Sequence, residues 1–262
     1  MQVANHIHQV FKSGATSFGA WQMLPGANLA RTMARTGVDW ICVDMEHGNI
    51  DDAQMHEAVA AINGCGISPF VRIPANEGWM VKRALDTGAH GIIVPLLRTA
   101  EEAAAIVSAA KFPPMGIRGF GSPFATAAFG ASSSGGVEYL QQANDSLLTI
   151  IQIETVEALD NVDAIAQVPG VDVLLVGPFD LGIAMGRPIT GATLHDELKQ
   201  AIGRILAAAK KNGKVCGIYC VSGEHARMCA AQGFQFISIT GDVFAIPAFL
   251  GQQLKAAKGT AE

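Results

Sequence analysis

Eight short apolar runs recur along this chain, each separated from the next by a longer amphipathic segment, and few folds accept that alternation. The runs fall at 17–21, 40–44, 68–73, 91–95, 148–154, 173–177, 215–220 and 236–240. Most are continuously apolar rather than alternating, as strands buried on both faces of a parallel sheet require. Helical patterns are predicted between them, at 28–36, 52–63, 80–87, 99–111, 156–167, 194–212 and 222–232. Several close at Gly37, Gly88, Gly213 or Gly233, residues suited to the left-handed cap of a helix. Eight strand–helix units in 262 residues predict one (β/α)8 barrel spanning 1–262.

One segment breaks the rhythm. Residues 112–146 hold Pro113-Pro114, Gly116, Gly119, Gly121 and the tract Ser132-Ser133-Ser134-Gly135-Gly136. This predicts a long Gly/Ser-rich loop, and its Arg118 and its position just before the fifth strand favour a functional one.

Composition narrows the partners. Half the residues are apolar and 16% are charged, which fits a large core and a subunit interface. The net charge of −5, without a basic block, excludes nucleic acid as an expected partner. No apolar run approaches the ~20 residues of a membrane span. The polar start, Met1 to Phe11, does not resemble a signal peptide. Five cysteines without CxxC spacing read as buried thiols in a reducing cytoplasm, with Cys216 and Cys220 facing one side of a strand.

The chemistry lies at the ends of the runs. Asp44-Met45-Glu46-His47 follows the second, Arg72 closes the third, Glu154 the fifth, and Asp180 follows the sixth. In a parallel barrel these ends form one face, where such folds carry their active sites. Glu154 and Asp180 are the candidate ligands of a hard divalent cation. In Gly177-Pro178-Phe179-Asp180, Pro178 has no N–H, so the amides of Phe179 and Asp180 are the donors available to a substrate carboxylate. Asp44, three residues before His47, is expected to orient that imidazole as an acid–base group. Arg72 supplies a fixed positive fork for a developing oxyanion. The other six histidines, including His90 and His225, read as structural or surface residues.

Asp44-Met45-Glu46-His47-Gly48, Val71-Arg72, Pro113-Pro114-Met115-Gly116-Ile117-Arg118-Gly119, Gln152-Ile153-Glu154-Thr155 and Gly177-Pro178-Phe179-Asp180-Leu181 together resemble the HpcH/HpaI aldolase family of class II pyruvate aldolases. The likeness runs in order over nearly the whole chain. It implies a barrel of the phosphoenolpyruvate/pyruvate superfamily, a divalent metal (Mg²⁺, Mn²⁺ or Co²⁺) on Glu154 and Asp180, and pyruvate chelating it. It implies that Gln152, Gly177, Pro178, Phe179 and Asp180 contact substrate, that Arg72 stabilises an enolate, and that His47, with Asp44, moves a proton. It also implies a homo-oligomer, hexamer or trimer, with the last helix (246–258) swapped and Asp86 reaching a neighbouring subunit's site. The position of Phe179 is usually Ala or Ser in bacterial members. The expected reaction is cleavage of a 4-hydroxy-2-oxo acid to pyruvate and an aldehyde. The alternatives are the same enolate chemistry on oxaloacetate, on a macrophomate synthase-like acceptor or on an acyl-CoA, or a barrel that binds metabolites without catalysis.

Overall fold

The computed structural model describes residues 5–129, 135–191 and 194–259. The apolar runs form β1 (Ser17–Gln22), β2 (Trp40–Asp44), β3 (Ser68–Arg72), β4 (Gly91–Val94), β5 (Leu148–Ile153), β6 (Val173–Val176), β7 (Val215–Ile218) and β8 (Phe236–Gly241). All pair in parallel with their sequence neighbours, and β8 pairs with β1 to close a barrel. Among the described residues no helix is long and apolar enough to cross a membrane.

The strand period of two separates two cores. Ile41, Val43, Val71, Ile151, Ile153, Leu174 and Val176 point outward and pack on the surrounding helices. Trp40, Cys42, Phe70, Ile93, Leu148, Ile150, Val173, Leu175 and Phe236 point inward and fill the barrel. Trp40 stacks on Phe236 at 3.9 Å between centroids, and Phe70 meets Phe236 edge-on at 5.2 Å. A Cβ at Gly19 would lie 1.9 Å from the Trp40 ring, so this aromatic floor needs glycine there. Continuing the same alternation upward, Asp44 follows Trp40 and Cys42, Arg72 follows Phe70, and Gln152 follows Leu148 and Ile150. Asp44, Arg72 and Gln152 therefore sit at the top of the barrel, above the packed aromatic floor.

The strands begin and end within two residues of their predicted bounds, and β7 stops at Ile218, leaving Cys220 beyond it. The segment 112–146 is not the predicted loop. It contains helices Pro123–Ala127 and Gly135–Ser146, the first capped by the Ser122 hydroxyl with Pro at its start. Tyr139 and Ala143, four residues apart, bury one face of the second helix, and Leu147, just past its end, continues that face. Ser132-Ser133-Ser134 lies outside the described residues. Arg118 is a latch for this segment: it donates to Asp86 Oδ1 at 3.1 Å and lies over Phe112 at 4.7 Å. The predicted helix 156–167 is two pieces, Val156–Asp160 and Val162–Gln167, joined at Asn161.

A short helix, His6–Lys12, was not evident from its polar sequence. It sends Ile7 into the inner core at the bottom of the barrel. Before it, Asn5 Nδ2 donates to the carbonyls of His90 and Ser146 at 3.2 and 2.6 Å. His90 itself is buried between Ser68 Oγ, 3.0 Å from Nδ1, and the Phe129 ring. Burial drives its pKa down to about 3. The folded protein keeps His90 neutral while the unfolded chain takes up a proton below ~6.5, so this stability is lost as pH falls through that window. Between pH 7 and pH 5 wild type is expected to lose about 2 kcal/mol more than His90→Asn, by urea unfolding at both pH values. Equal losses would show that His90 titrates normally.

Candidate active site

The top of the barrel opens into a cavity of about 190 Å³ lined by Trp21, Met23, Asp44, His47, Arg72, Gln152, Glu154, Leu175, Gly177, Pro178, Phe179, Asp180, Tyr219 and Phe244. Nine positions predicted from sequence (Asp44, His47, Arg72, Gln152, Glu154, Gly177, Pro178, Phe179 and Asp180) meet here.

Asp44 and Arg72 are register partners across β2 and β3. The fully buried Asp44 carboxylate accepts from Arg72 Nε at 2.9 Å and Nη2 at 2.6 Å, a bidentate pair. The same carboxylate accepts the backbone N–H groups of Glu46 and His47 at 3.1 and 3.3 Å, which folds the turn after β2. Asp44 therefore serves Arg72 and this turn. It does not orient the His47 ring, contrary to the sequence expectation: the turn that Asp44 organises carries the imidazole outward. His47 is exposed, and its Nε2 lies 4.0 Å from Glu46 Oε1, beyond a hydrogen bond.

Arg72 is held from three sides. Its Nη1 is 3.0 Å from Glu46 Oε2, and its guanidinium lies 4.5 Å from the Trp21 ring centroid. The charge is thus fixed in place, with Gln152 Oε1 at 3.5 Å on the cavity side. Burial pushes the Glu46 carboxyl up to about 7 despite the neighbouring Arg72.

Across the cavity, Glu154 Oε2 accepts from Gln152 Nε2 at 2.6 Å and Oε1 from the Leu96 N–H at 2.8 Å. Leu96 offers that N–H from a positive φ of 54°, the one such non-glycine among the described residues. Burial raises Glu154 to about 7, and the nearby Asp180 charge adds to the shift. A Cβ on Gly177 would stand 2.3 Å from Glu154 Oε2, so glycine is what lets the carboxylate lie there. Gly177 also caps the helix Pro178–Ala184, whose start brings Asp180 to the cavity and leaves the Phe179 and Asp180 amides without intrahelical acceptors. Two hard carboxylates beside a fixed guanidinium form a donor set suited to a hard divalent cation and a small oxyanion.

Asp86 is not in this cavity. Its carboxylate faces Arg118 in a separate surface depression with Lys82 and Phe120. Trp21, Glu46, the Leu96 amide, Tyr219 and Phe244 are site residues that the sequence reading did not single out. Trp21 was readable in principle, because it ends a predicted strand at the same barrel face.

The family model of the HpcH/HpaI aldolase/citrate lyase proteins matches residues 17–247. The chain belongs to the HpcH/HpaI aldolase/citrate lyase family. It is an enzyme of the carbon–carbon lyase class, as its aldolase relatives are. It is 36% identical to the 2-dehydro-3,6-dideoxy-6-sulfogluconate aldolase of Pseudomonas putida over 250 residues, covering 95% of this chain and 96% of the relative. It is 34% identical to a hydroxypyruvate/pyruvate aldolase of Rhizorhabdus wittichii, covering 97% and 99%. The crystal structure of a family protein from Burkholderia cenocepacia superposes with a TM-score of 0.88 at 33% identity, covering 98% of this chain and 100% of that one. The barrel of this enzyme is thus the family fold, and the cavity lies at the C-terminal ends of its strands.

Proposed function

We propose that this enzyme is a divalent-cation-dependent pyruvate aldolase that reversibly cleaves a 4-hydroxy-2-oxo acid to pyruvate and an aldehyde. The observation that carries this reading is the opposition, across one small cavity, of the braced Arg72 guanidinium and the buried Glu154 carboxylate with Asp180. Glu154 and Asp180 would hold Mg²⁺, Mn²⁺ or Co²⁺; their oxygen donors, and the cost of leaving the buried Glu154 charge uncompensated, fit such an ion. When bound, the cation makes the α-protons of a 2-oxo acid more acidic and stabilises the enolate.

The chain's own residues supply the rest. The substrate carboxylate rests on the Phe179 and Asp180 amides, beside Gly177 and Pro178, with Gln152 along the floor. His47, at the open rim, accepts the proton of the C4 hydroxyl. The C3–C4 bond then breaks, the C4–oxygen bond becomes the aldehyde carbonyl, and the bonding pair moves into an enolate over C2 and C3. Arg72, immobilised by Asp44 and Glu46, faces the charge that develops on the enolate oxygen. Solvent water protonates C3 to complete pyruvate, and the exposed His47 returns its proton to solvent. Among the described residues no lysine lines the cavity, which favours this route over a Schiff base. Phe179, 6.1 Å from Tyr219 and edge-on to it, forms with Phe244 an aromatic wall for the aldehyde fragment.

Proton NMR of pyruvate in D2O tests the reading. Loss of the methyl signal with cation, and none with EDTA, is the expected outcome; no exchange with Mg²⁺, Mn²⁺ or Co²⁺ would sink it. In the same assay Gly177→Ala is expected to lower cation affinity and exchange by roughly 10- to 100-fold, because its methyl displaces Glu154. Wild-type affinity in that variant would show that Glu154 is not a ligand.

The enzyme is proposed to work in the cytoplasm as a homo-oligomer, hexamer or trimer. Helix Asp242–Ala257 leaves Phe249, Leu250 and Leu254 exposed, the face that a swapped helix would bury, and Asp86, outside its own cavity, would complete a neighbour's site.

A further inference from the structure

Behind the aromatic wall, on the far side of β7, three potential ligands converge that the lyase chemistry does not use. Cys220 follows β7, and His225 and Cys229 stand four residues apart on the helix Gly223–Gln232. Their ligating atoms all lie within 4.8 Å of one another. Both thiols are buried, while His225 is half-buried and opens the cluster toward solvent. The Cys220 backbone is pinned on both sides by Ser238 Oγ, which accepts its N–H at 2.8 Å and donates to its carbonyl at 2.9 Å.

We propose that Cys220, His225 and Cys229 form a second metal centre, selective for a thiophilic cation of the Zn²⁺ class and distinct from the carboxylate pair in the cavity. The two sulfurs are 3.8 Å apart. Two Zn–S bonds of ~2.3 Å at a tetrahedral angle span roughly the same distance, so both thiolates can bind one ion without moving. A disulfide bond of ~2.05 Å would instead require the two elements to close on each other. Two sulfurs and one imidazole are soft donors that Mg²⁺ or Mn²⁺ do not favour, whereas zinc sites with three protein ligands keep a fourth position for water. The centre also has a line to the active site. Tyr219, the residue before Cys220, lines the cavity and packs edge-on against Trp21 at 5.4 Å.

Co²⁺ titration of the full-length reduced protein, carrying Cys65→Ser to remove the exposed thiol, tests the assignment. The expected result is a sulfur-to-cobalt charge-transfer band that saturates at one equivalent, is erased by Zn²⁺ and survives Mg²⁺. The band should persist in Glu154→Gln, where the cavity carboxylate is gone, and vanish in Cys229→Ser. Because Cys229 is buried, the surface-facing variant His225→Ala provides a second reading: Co²⁺ affinity should fall at least about 10-fold with the circular dichroism unchanged. Absence of the band, its survival in Cys229→Ser, or wild-type affinity in His225→Ala would overturn the proposal. Recovery of a Cys220–Cys229 disulfide that takes up no metal would overturn it equally, in favour of a redox pair.

Discussion

Arg72→Lys is expected to lower turnover by roughly 100- to 1,000-fold, the cost of losing one preorganised donor to a developing oxyanion. Lysine keeps the charge but loses the planar fork that grips Asp44 through Nε and Nη2 while Nη1 meets Glu46. Arg72→Ala should lose at least as much activity and, unlike the lysine variant, much stability. It leaves the fully buried Asp44 without its counter-charge, a change that costs roughly 3–5 kcal/mol when a buried pair loses one partner. The two variants thus separate a chemical role from a structural one. Steady-state kinetics and thermal melts read both; a lysine variant with wild-type turnover would remove Arg72 from the chemistry.

Glu154→Gln should have the opposite signature. Cation affinity, measured by calorimetry, is expected to drop by more than about 100-fold and methyl exchange to fall to background. The fold should be unharmed. An amide oxygen still accepts the Leu96 N–H, and Gln152 can turn its own amide to match, giving up its long 3.5 Å contact with Arg72. Burial makes the charged Glu154 costly in the cation-free protein, so above pH 7 the melting temperature of the variant should equal or exceed that of wild type. Unchanged cation affinity would refute the ligand assignment.

The barrel was legible because strands buried on both faces leave uninterrupted apolar runs, and because the inward alternation can be followed to its polar end. Asp44, Arg72, Glu154 and Asp180 could therefore be placed at one face from sequence, while Gln152 came from the family resemblance. What each would bond could not. Asp44 and His47 are three residues apart, which invites pairing, but the partner that Asp44 takes is Arg72, brought opposite by strand register across 28 positions. Glu46 sits inside a noted motif, yet its role depends on how the turn after β2 aims it. The helix Gly135–Ser146 was hidden for a different reason. Its start carries helix-averse glycines beside a serine tract, and its buried apolar face is marked by just Tyr139 and Ala143 among its described residues, with Val137 and Leu140 on the exposed side.

The aromatic floor of Trp40, Phe70 and Phe236 has a kinetic meaning. A barrel sealed below is a blind well, and everything that enters it must leave by the same mouth. On the proposed reading the oxo-acid end lies deep, against Gln152, and the aldehyde end lies outside it, against Phe179 and Phe244. Traffic is then single file: the aldehyde departs first, pyruvate last, and in the synthetic direction pyruvate must arrive before its partner.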